Sequence, residues 1–270
     1  MEGNARAYPW GPKQVLVGIG MFVAIFFFVN AVVVVFTYDR GLQTSDVGDA
    51  FVKLQQVTQY ADERLAAAAN SLPLPEPPQI LADQYSLRVA LLATIFSQVL
   101  IFGLVGIASK QDFSALVRVL KLNEYHFWGI WRPAVAVIGA YLMVAGYVYL
   151  ARALLPGFLV PESTVPSGIS RESSTLAIAF AATVVGAPLT EELFFRGFVF
   201  GGLSKWGFWP AAALSALLFS LVHFDPGSVI PFFGIGMVMA WLFWSRGSLW
   251  DAVLFHFLFN LTSFLILAAA

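Results

Sequence analysis

The stretch Ala187-Pro188-Leu189-Thr190-Glu191-Glu192-Leu193-Phe194-Phe195-Arg196-Gly197 places three charges within six residues of an otherwise apolar segment, 174–203. A charge at the centre of a bilayer costs at least about 2.5–3.5 kcal/mol, and it usually faces a cavity or a partner. On a helix Glu192 and Arg196 are neighbours, whereas Glu191 is rotated by about 100° from Glu192. We therefore expect an ion pair between Glu192 and Arg196, with Glu191 left for chemistry. The alternatives are a purely structural network of all three charges, or a short helix end at the membrane interface with no chemical role.

Six further hydrophobic segments lie on either side of this stretch, at 15–36, 87–108, 134–155, 208–223, 229–245 and 249–270. About 20 apolar residues are enough to cross a bilayer as a helix. Hydrophobic residues make up 59% of the chain and charged residues 11%, a composition that a soluble protein of this size could not bury. We predict an all-α, polytopic membrane protein with an intramembrane active-site cavity. It has about seven transmembrane helices, or eight if the 174–203 segment divides at Gly186–Pro188.

The polar connectors suggest two regions. Residues 1–173 are interpreted as an N-terminal membrane region with three helices and an acidic, proline-rich loop over 37–86. Residues 174–270 are interpreted as the catalytic core. Between the second and third spans, residues 110–124 have an apolar face flanked by basic residues, which predicts a helix at the membrane surface.

The basic residues near the span ends predict the orientation. In a seven-span arrangement most of them fall on one side, namely Arg6, Lys13, Lys110, Arg118, Lys121, Arg132, Lys205 and Arg246. Arg88, Arg152 and Arg171 fall toward the other side. Because Lys and Arg are enriched on the cytoplasmic side, we expect a cytoplasmic N-terminus.

Two histidines and an asparagine lie inside predicted spans. His256 and Asn260 are four residues apart and share one face of a helix, and His223 ends an earlier span. Helical rise places these three residues and Glu191 about 10–22 Å below one membrane face, a range that permits convergence on one cavity. His126 lies in a basic connector and is interpreted as an interface residue.

The expected chemistry is hydrolysis by an activated water. A glutamate beside a histidine can hold and deprotonate a water, and His256 and Asn260 can supply N–H donors to an oxyanion. The chain has no cysteine, no HExxH and no GxSxG motif. A metal site built from Glu191, Glu192, His223 and His256 is an alternative, but no HxxxH or HxxE spacing pairs two ligands on one helix face. We therefore expect neither a metal nor another cofactor.

These residues resemble the three motifs of the CPBP family (CAAX protease and bacteriocin-processing, also called Abi) of intramembrane endopeptidases. The EExxxR motif corresponds to Glu191–Arg196, FxxxH to Phe219–His223 and HxxxN to His256–Asn260. The resemblance covers roughly residues 175–264. It implies that Glu191 is the base, that His223 holds the water and that His256 and Asn260 bind the oxyanion, with Glu192 and Arg196 in support.

The resemblance implies a protein or peptide substrate, with a prenylated C-terminal CaaX tail as one candidate. Two other functions are weighed against an endopeptidase: a non-catalytic membrane scaffold on the same fold, and a proton or small-molecule transporter. Four intact motif residues count against the first, and the lack of an inverted repeat counts against the second. A net charge of −1 argues against a nucleic-acid partner.

Overall fold

The computed structural model describes residues 8–37, 83–124, 129–154 and 172–269, together with positions 59, 60, 63, 66, 67, 72, 75 and 169. Within these residues the chain forms helices and turns but no strand. Most of the 37–86 loop, much of the connector before residue 172 and His126 lie outside the described residues.

Seven apolar helices occupy the predicted spans, and one short helix lies between them. The helices are α1 (Pro12–Thr37), α2 (Gln84–Ser109), α3 (Phe113–Val119), α4 (Trp131–Leu154), α5 (Ser173–Trp206), α6 (Phe208–Leu221), α7 (Val229–Arg246) and α8 (Trp250–Ala269). Among the described residues, six helices are long and apolar enough to cross a membrane, and α6 is shorter at 14 residues. The predicted all-α, multi-pass membrane fold is confirmed.

The short helix α3 lies within the predicted 110–124 surface segment. The Asp112 side chain accepts a hydrogen bond from the Ala115 N–H at 2.7 Å and thereby caps its N-terminus. The chain then turns through Lys121, whose φ is 51°, toward the residues that precede α8. There the Leu120 carbonyl accepts a hydrogen bond from the Leu249 N–H at 3.1 Å, which ties α3 to the start of α8.

The described residues group into two compact units. The first comprises those within Met1–Ile25, Gln98–Pro161 and Ala187–Phe259, and the second those within Phe26–Ser97, Glu162–Gly186 and Asn260–Ala270. The first unit contains Glu191, Glu192, Arg196, His223 and His256. Asn260 belongs to the second unit. The sequence-based division at residue 173 stays a prediction.

Helix α5 is one continuous helix of 34 residues rather than two. Its α-helical centre, Ala187–Glu192, lies between two π-helical segments, Phe180–Gly186 and Leu193–Phe200. Pro188 lacks the N–H that an α-helix needs at this point, and the first π-helical segment directly precedes it. Single π turns inside α-helices often mark functional sites.

The second π-helical segment forms the centre of the first unit. Every residue from Leu193 to Phe200 is buried. A π turn shifts the regular bonding pattern, and side chains from elsewhere bond two of its carbonyls. Ser215 Oγ on α6 donates to the Phe195 carbonyl at 2.7 Å, and Trp10 Nε1 donates to the Phe198 carbonyl at 2.9 Å. These bonds hold α6 and the segment before α1 against α5.

Candidate active site

The centre of the site is a buried charge cluster on α5 and α8. Arg196 Nη1 donates to Glu192 Oε1 at 2.9 Å, which confirms the ion pair predicted from their spacing. His256 Nδ1 contacts the same oxygen at 2.9 Å. Glu192 and Arg196 are completely buried, and His256 is 6% exposed. Since a buried charge needs a partner, this cluster links the position of α8 to that of α5.

Glu191 has a different environment from its neighbour. Its Oε2 atom is buried and has no hydrogen-bond partner among the described residues. It is close enough to Arg196 and His223 for their charges to interact. Of the two adjacent carboxylates, Glu192 is therefore held by hydrogen bonds from Arg196 and His256, and Glu191 has a buried oxygen available to bind another group.

His223 lies just after the end of α6, and its orientation is fixed by the backbone. Its Nδ1 is 2.7 Å from the Phe219 carbonyl oxygen. A carbonyl oxygen can only accept, so Nδ1 carries the proton and Nε2 of the neutral ring is an acceptor. The Phe232 ring on α7 packs edge-on against the His223 ring, with a centroid distance of 4.5 Å.

Asp225 stabilises the turn that follows His223. Its side chain accepts hydrogen bonds from the Gly227 N–H at 3.0 Å and from the Ser228 hydroxyl. Between His223 and Asp225, Phe224 has a φ of 53°, a left-handed conformation that is unusual for an aromatic residue. The turn therefore defines where α6 ends and α7 begins, and with it the position of His223.

Phe219 links the functional groups of three helices. Its ring centroid lies 4.9 Å from that of His223 and 5.8 Å from that of His256. The guanidinium carbon of Arg196 lies 4.3 Å from the same centroid, in cation–π geometry. The sequence indicated Phe219 only as part of a motif. Its spacing to His223 carries no information about contacts with residues on other helices.

The contact of His256 with Glu192 was not predicted, and it restricts what His256 can do. A carboxylate accepts, so Nδ1 donates to Glu192 and carries a proton. The ring can then donate from Nε2 only when it is doubly protonated.

Asn260 Nδ2, in the second unit, donates to the Thr183 carbonyl at 2.8 Å. An amide NH2 group has two N–H donors, so this bond uses one of them. The oxyanion-binding role of Asn260 stays a prediction.

The cluster carries further polar atoms without partners in the described part of the chain: Glu192 Oε2, Arg196 Nε and Arg196 Nη2. Buried polar atoms of native proteins are nearly always hydrogen-bonded to protein or water, so water or a substrate group is the expected partner.

No group of three His, Asp or Glu side chains among the described residues has a geometry suited to a metal ion. The metal-free chemistry expected from the sequence stays a prediction.

Comparison with known proteins supports the interpretation of this region. Residues 173–262 match the family model of the Rce1-like type II CAAX prenyl endopeptidases. The chain is also 30% identical over 105 residues to the Bacillus subtilis (strain 168) protein named "Putative membrane peptidase YdiL". That match covers 34% of this chain and 43% of the relative, so it spans less than half of either protein. No solved structure matches the chain significantly.

The family match begins with α5 and ends within α8, so it contains all three motifs. It lies almost entirely within the 175–264 region on which the motif resemblance was based. Both comparisons support a membrane protease. The resemblance of residues 173–262 to the Rce1-like endopeptidases of the CPBP family, predicted from the three motifs, is confirmed.

Proposed function

We propose that this multi-pass membrane protein is an intramembrane endopeptidase in which Glu191 activates a water molecule. The observation that carries the proposal is the difference between the two adjacent carboxylates. Glu192 Oε1 accepts from both Arg196 and His256, whereas the Glu191 side chain has no hydrogen bond within the described residues. Glu191 is therefore the carboxylate that can take a proton.

The water binds between Glu191 and His223. Both the Glu191 carboxylate and Nε2 of His223 are acceptors, so one water donates a hydrogen to each and presents its oxygen to the substrate. Glu191 takes one proton while the water oxygen attacks the peptide carbonyl carbon. When the tetrahedral intermediate breaks down, Glu191 passes its proton to the leaving nitrogen and the C–N bond breaks. The second proton of the water stays on the new carboxyl group, so a carboxylic acid and an amine result.

His256 and Asn260 stabilise the oxyanion of the intermediate. Because Nδ1 of His256 donates to Glu192, Nε2 donates to the oxyanion when the ring is an imidazolium. The second N–H of Asn260 is the other donor. Removal of one oxyanion donor typically lowers kcat by about 10²–10³-fold, so these two residues rank close to Glu191 in importance.

The proposed substrate is a protein or peptide that reaches the site from the cytosolic side, with a prenylated CaaX tail as one candidate class. The proposed orientation has a cytoplasmic N-terminus, which the distribution of Lys and Arg supports. A lipidated C-terminus would enter from the bilayer, where its hydrocarbon chain is already dissolved.

The test compares Glu191→Gln with the native protein at matched levels in cells that lack it. New protein termini are mapped by mass spectrometry. We expect termini that depend on the native protein, with their formation reduced by about 10²–10⁴-fold in the variant, the usual contribution of a general base. Glu124→Gln is the matched control, since Glu124 is an exposed carboxylate that pairs only with Lys121 in the described contacts.

Each outcome decides between the functions. Cleavage lost in Glu191→Gln but kept in Glu124→Gln supports the protease. Equal termini in all three samples, with each protein folded in the membrane, contradict it and favour the scaffold. Proton-coupled uptake into proteoliposomes that is lost in Glu191→Gln would instead favour the transporter.

A further inference from the structure

Tyr147 on α4 has a hydroxyl group that the packing of the described residues does not explain. The hydroxyl oxygen is buried and has no hydrogen-bond partner among those residues. A buried hydroxyl without a hydrogen-bond partner carries a free-energy cost. A phenylalanine would fill the same space without that cost, so the oxygen needs a functional explanation.

The packing of α4 on α7 shows where Tyr147 lies. At one end, Arg132 Nη2 donates to Ser245 Oγ at 3.0 Å. Further along, Met143 packs against Gly234, where an added Cβ would lie 2.8 Å from the sulfur. The two helices therefore run antiparallel. Tyr147 is one turn beyond Met143 on the same face, which brings it to the start of α7.

The turn before α7 is the one that positions His223. The Asp225 carboxylate, two residues after His223, is close enough for its charge to act on the Tyr147 hydroxyl. Asp225 already accepts bonds from Gly227 and Ser228 within this turn. A phenol is neutral at physiological pH, so the hydroxyl of Tyr147 can donate a hydrogen bond.

Helix α4 also contacts the other histidine-bearing helix. The Tyr141 hydroxyl donates to the Phe259 carbonyl at 2.9 Å, and the two rings stack with centroids 4.7 Å apart. Phe259 is three residues after His256 on α8. Tyr141 lies about 120° around α4 from Tyr147, so α4 contacts α8 through one face and the start of α7 through another. The Tyr141 hydroxyl is bonded to protein, whereas that of Tyr147 has no partner among the described residues.

We propose that Tyr147 is a substrate-positioning residue whose hydroxyl donates a hydrogen bond to a backbone carbonyl of the bound peptide near the scissile bond. The inference rests on the proposed endopeptidase function. It adds to that function a contact from a helix outside the 173–262 family match. An extended peptide exposes unpaired carbonyls at regular intervals, and a buried neutral donor is suited to bind one of them.

The test uses three tyrosines of the same helix, each changed to phenylalanine. The probe is a fluorogenic peptide that carries the residues on both sides of the bond assigned by terminus mapping. For Tyr147→Phe we expect kcat/KM to fall by about tenfold, mostly through KM, because one neutral hydrogen bond to the substrate is lost. The thermal stability of this variant should be unchanged or higher.

The other two variants are the controls. Tyr141→Phe loses a bond within the protein, so its stability should fall while the kcat/KM of the folded fraction is kept. Tyr149→Phe should change neither property, since Tyr149 is 75% exposed.

A kcat/KM of Tyr147→Phe within twofold of the native value, with Glu191-dependent cleavage intact, overturns the role of Tyr147 and leaves the protease standing. A loss of activity that follows a loss of stability also overturns it, because the role would then be structural. Absence of any Glu191-dependent cleavage overturns both proposals.

Discussion

Helices α1 and α7 are both long enough to cross a membrane, but they differ in hydropathy and in burial. The most apolar window of α1 has a mean hydropathy of 2.8, and 6% of its residues are buried within the protein. The corresponding values for α7 are 1.7 and 50%. The more hydrophobic helix is therefore the more exposed one, the reverse of what a soluble protein shows.

The difference shows how the surroundings of a helix, lipid or protein, determine its amino-acid composition. Residues of α1 such as Leu16 and Phe36, which are 72% and 60% exposed, face lipid and are hydrophobic for that reason. Residues of α7 face other helices, where close packing and polar contacts decide stability. Helix α5 has the lowest mean hydropathy of the six long helices, 1.5, and carries the buried charges. In this protein, the long helix with the lowest mean hydropathy is therefore the one that carries the buried Glu192 and Arg196.

The largest expected effect of burial on the free energy of unfolding is at the buried ion pair of Glu192 and Arg196. Arg196→Met removes the charge that compensates Glu192, and we expect a loss of about 3–5 kcal/mol in the free energy of unfolding in mixed micelles. Arg88→Met is the matched control, because Arg88 pairs with Glu172 at an exposed position. That change should cost about 0–1 kcal/mol. Equal losses in the two variants would contradict the distinction between buried and exposed polar groups.

A smaller effect is expected where α7 packs closely on α6. An added Cβ at Gly236 would lie 2.8 Å from the Ala216 Cβ and 3.1 Å from Arg196 Nη2. Gly236→Ala should therefore destabilise the protein by about 1–3 kcal/mol. At Gly139 on α4 nothing lies within 4 Å, so Gly139→Ala should stabilise its helix by up to about 1 kcal/mol. Thermal unfolding of both variants gives the sign of each change, and the same sign would argue against close packing at α7.

The smallest expected effect concerns a hydroxyl on α6. Ser215→Ala leaves the buried Phe195 carbonyl without its bond from Ser215, which should cost about 1 kcal/mol. Ser97→Ala removes a bond to Thr94 on the surface of α2, and the expected change is within about 0.5 kcal/mol. Unfolding curves of the two variants, measured side by side, would compare the loss in free energy of unfolding at a buried and at an exposed hydroxyl. A larger loss at Ser97 would reverse it.

The sequence was sufficient for features that depend on one helix alone. Hydropathy located all seven apolar helices, since the length of an apolar segment follows from the thickness of the bilayer. The spacing of Glu192 and Arg196 predicted their ion pair. The sequence left open whether 174–203 is one helix or two, because the wider π turns around Pro188 have no signature in hydropathy.

Features that join distant parts of the chain could not be predicted. His256 and Glu192 are 64 residues apart, and only the packing of α8 beside α5 brings them together. The same holds for Phe219, whose contacts with Arg196 and His256 depend on three helices. Sequence spacing gave His256 and Asn260 a common face, but it gave no indication that Nδ1 of His256 is already engaged.

The π-helical segment Leu193–Phe200 also constrains how this protein can change in evolution. A π turn closes its hydrogen bonds one residue further along than an α turn, so it contains a residue that a plain α-helix would not. Deletion of one residue between Glu192 and Arg196 would rotate everything after it by about 100° relative to Glu191 and Glu192. Arg196 would then turn away from Glu192, although the composition of the helix would hardly differ. We therefore expect functional descendants of this chain to vary in this part of α5 by substitution and not by insertion or deletion.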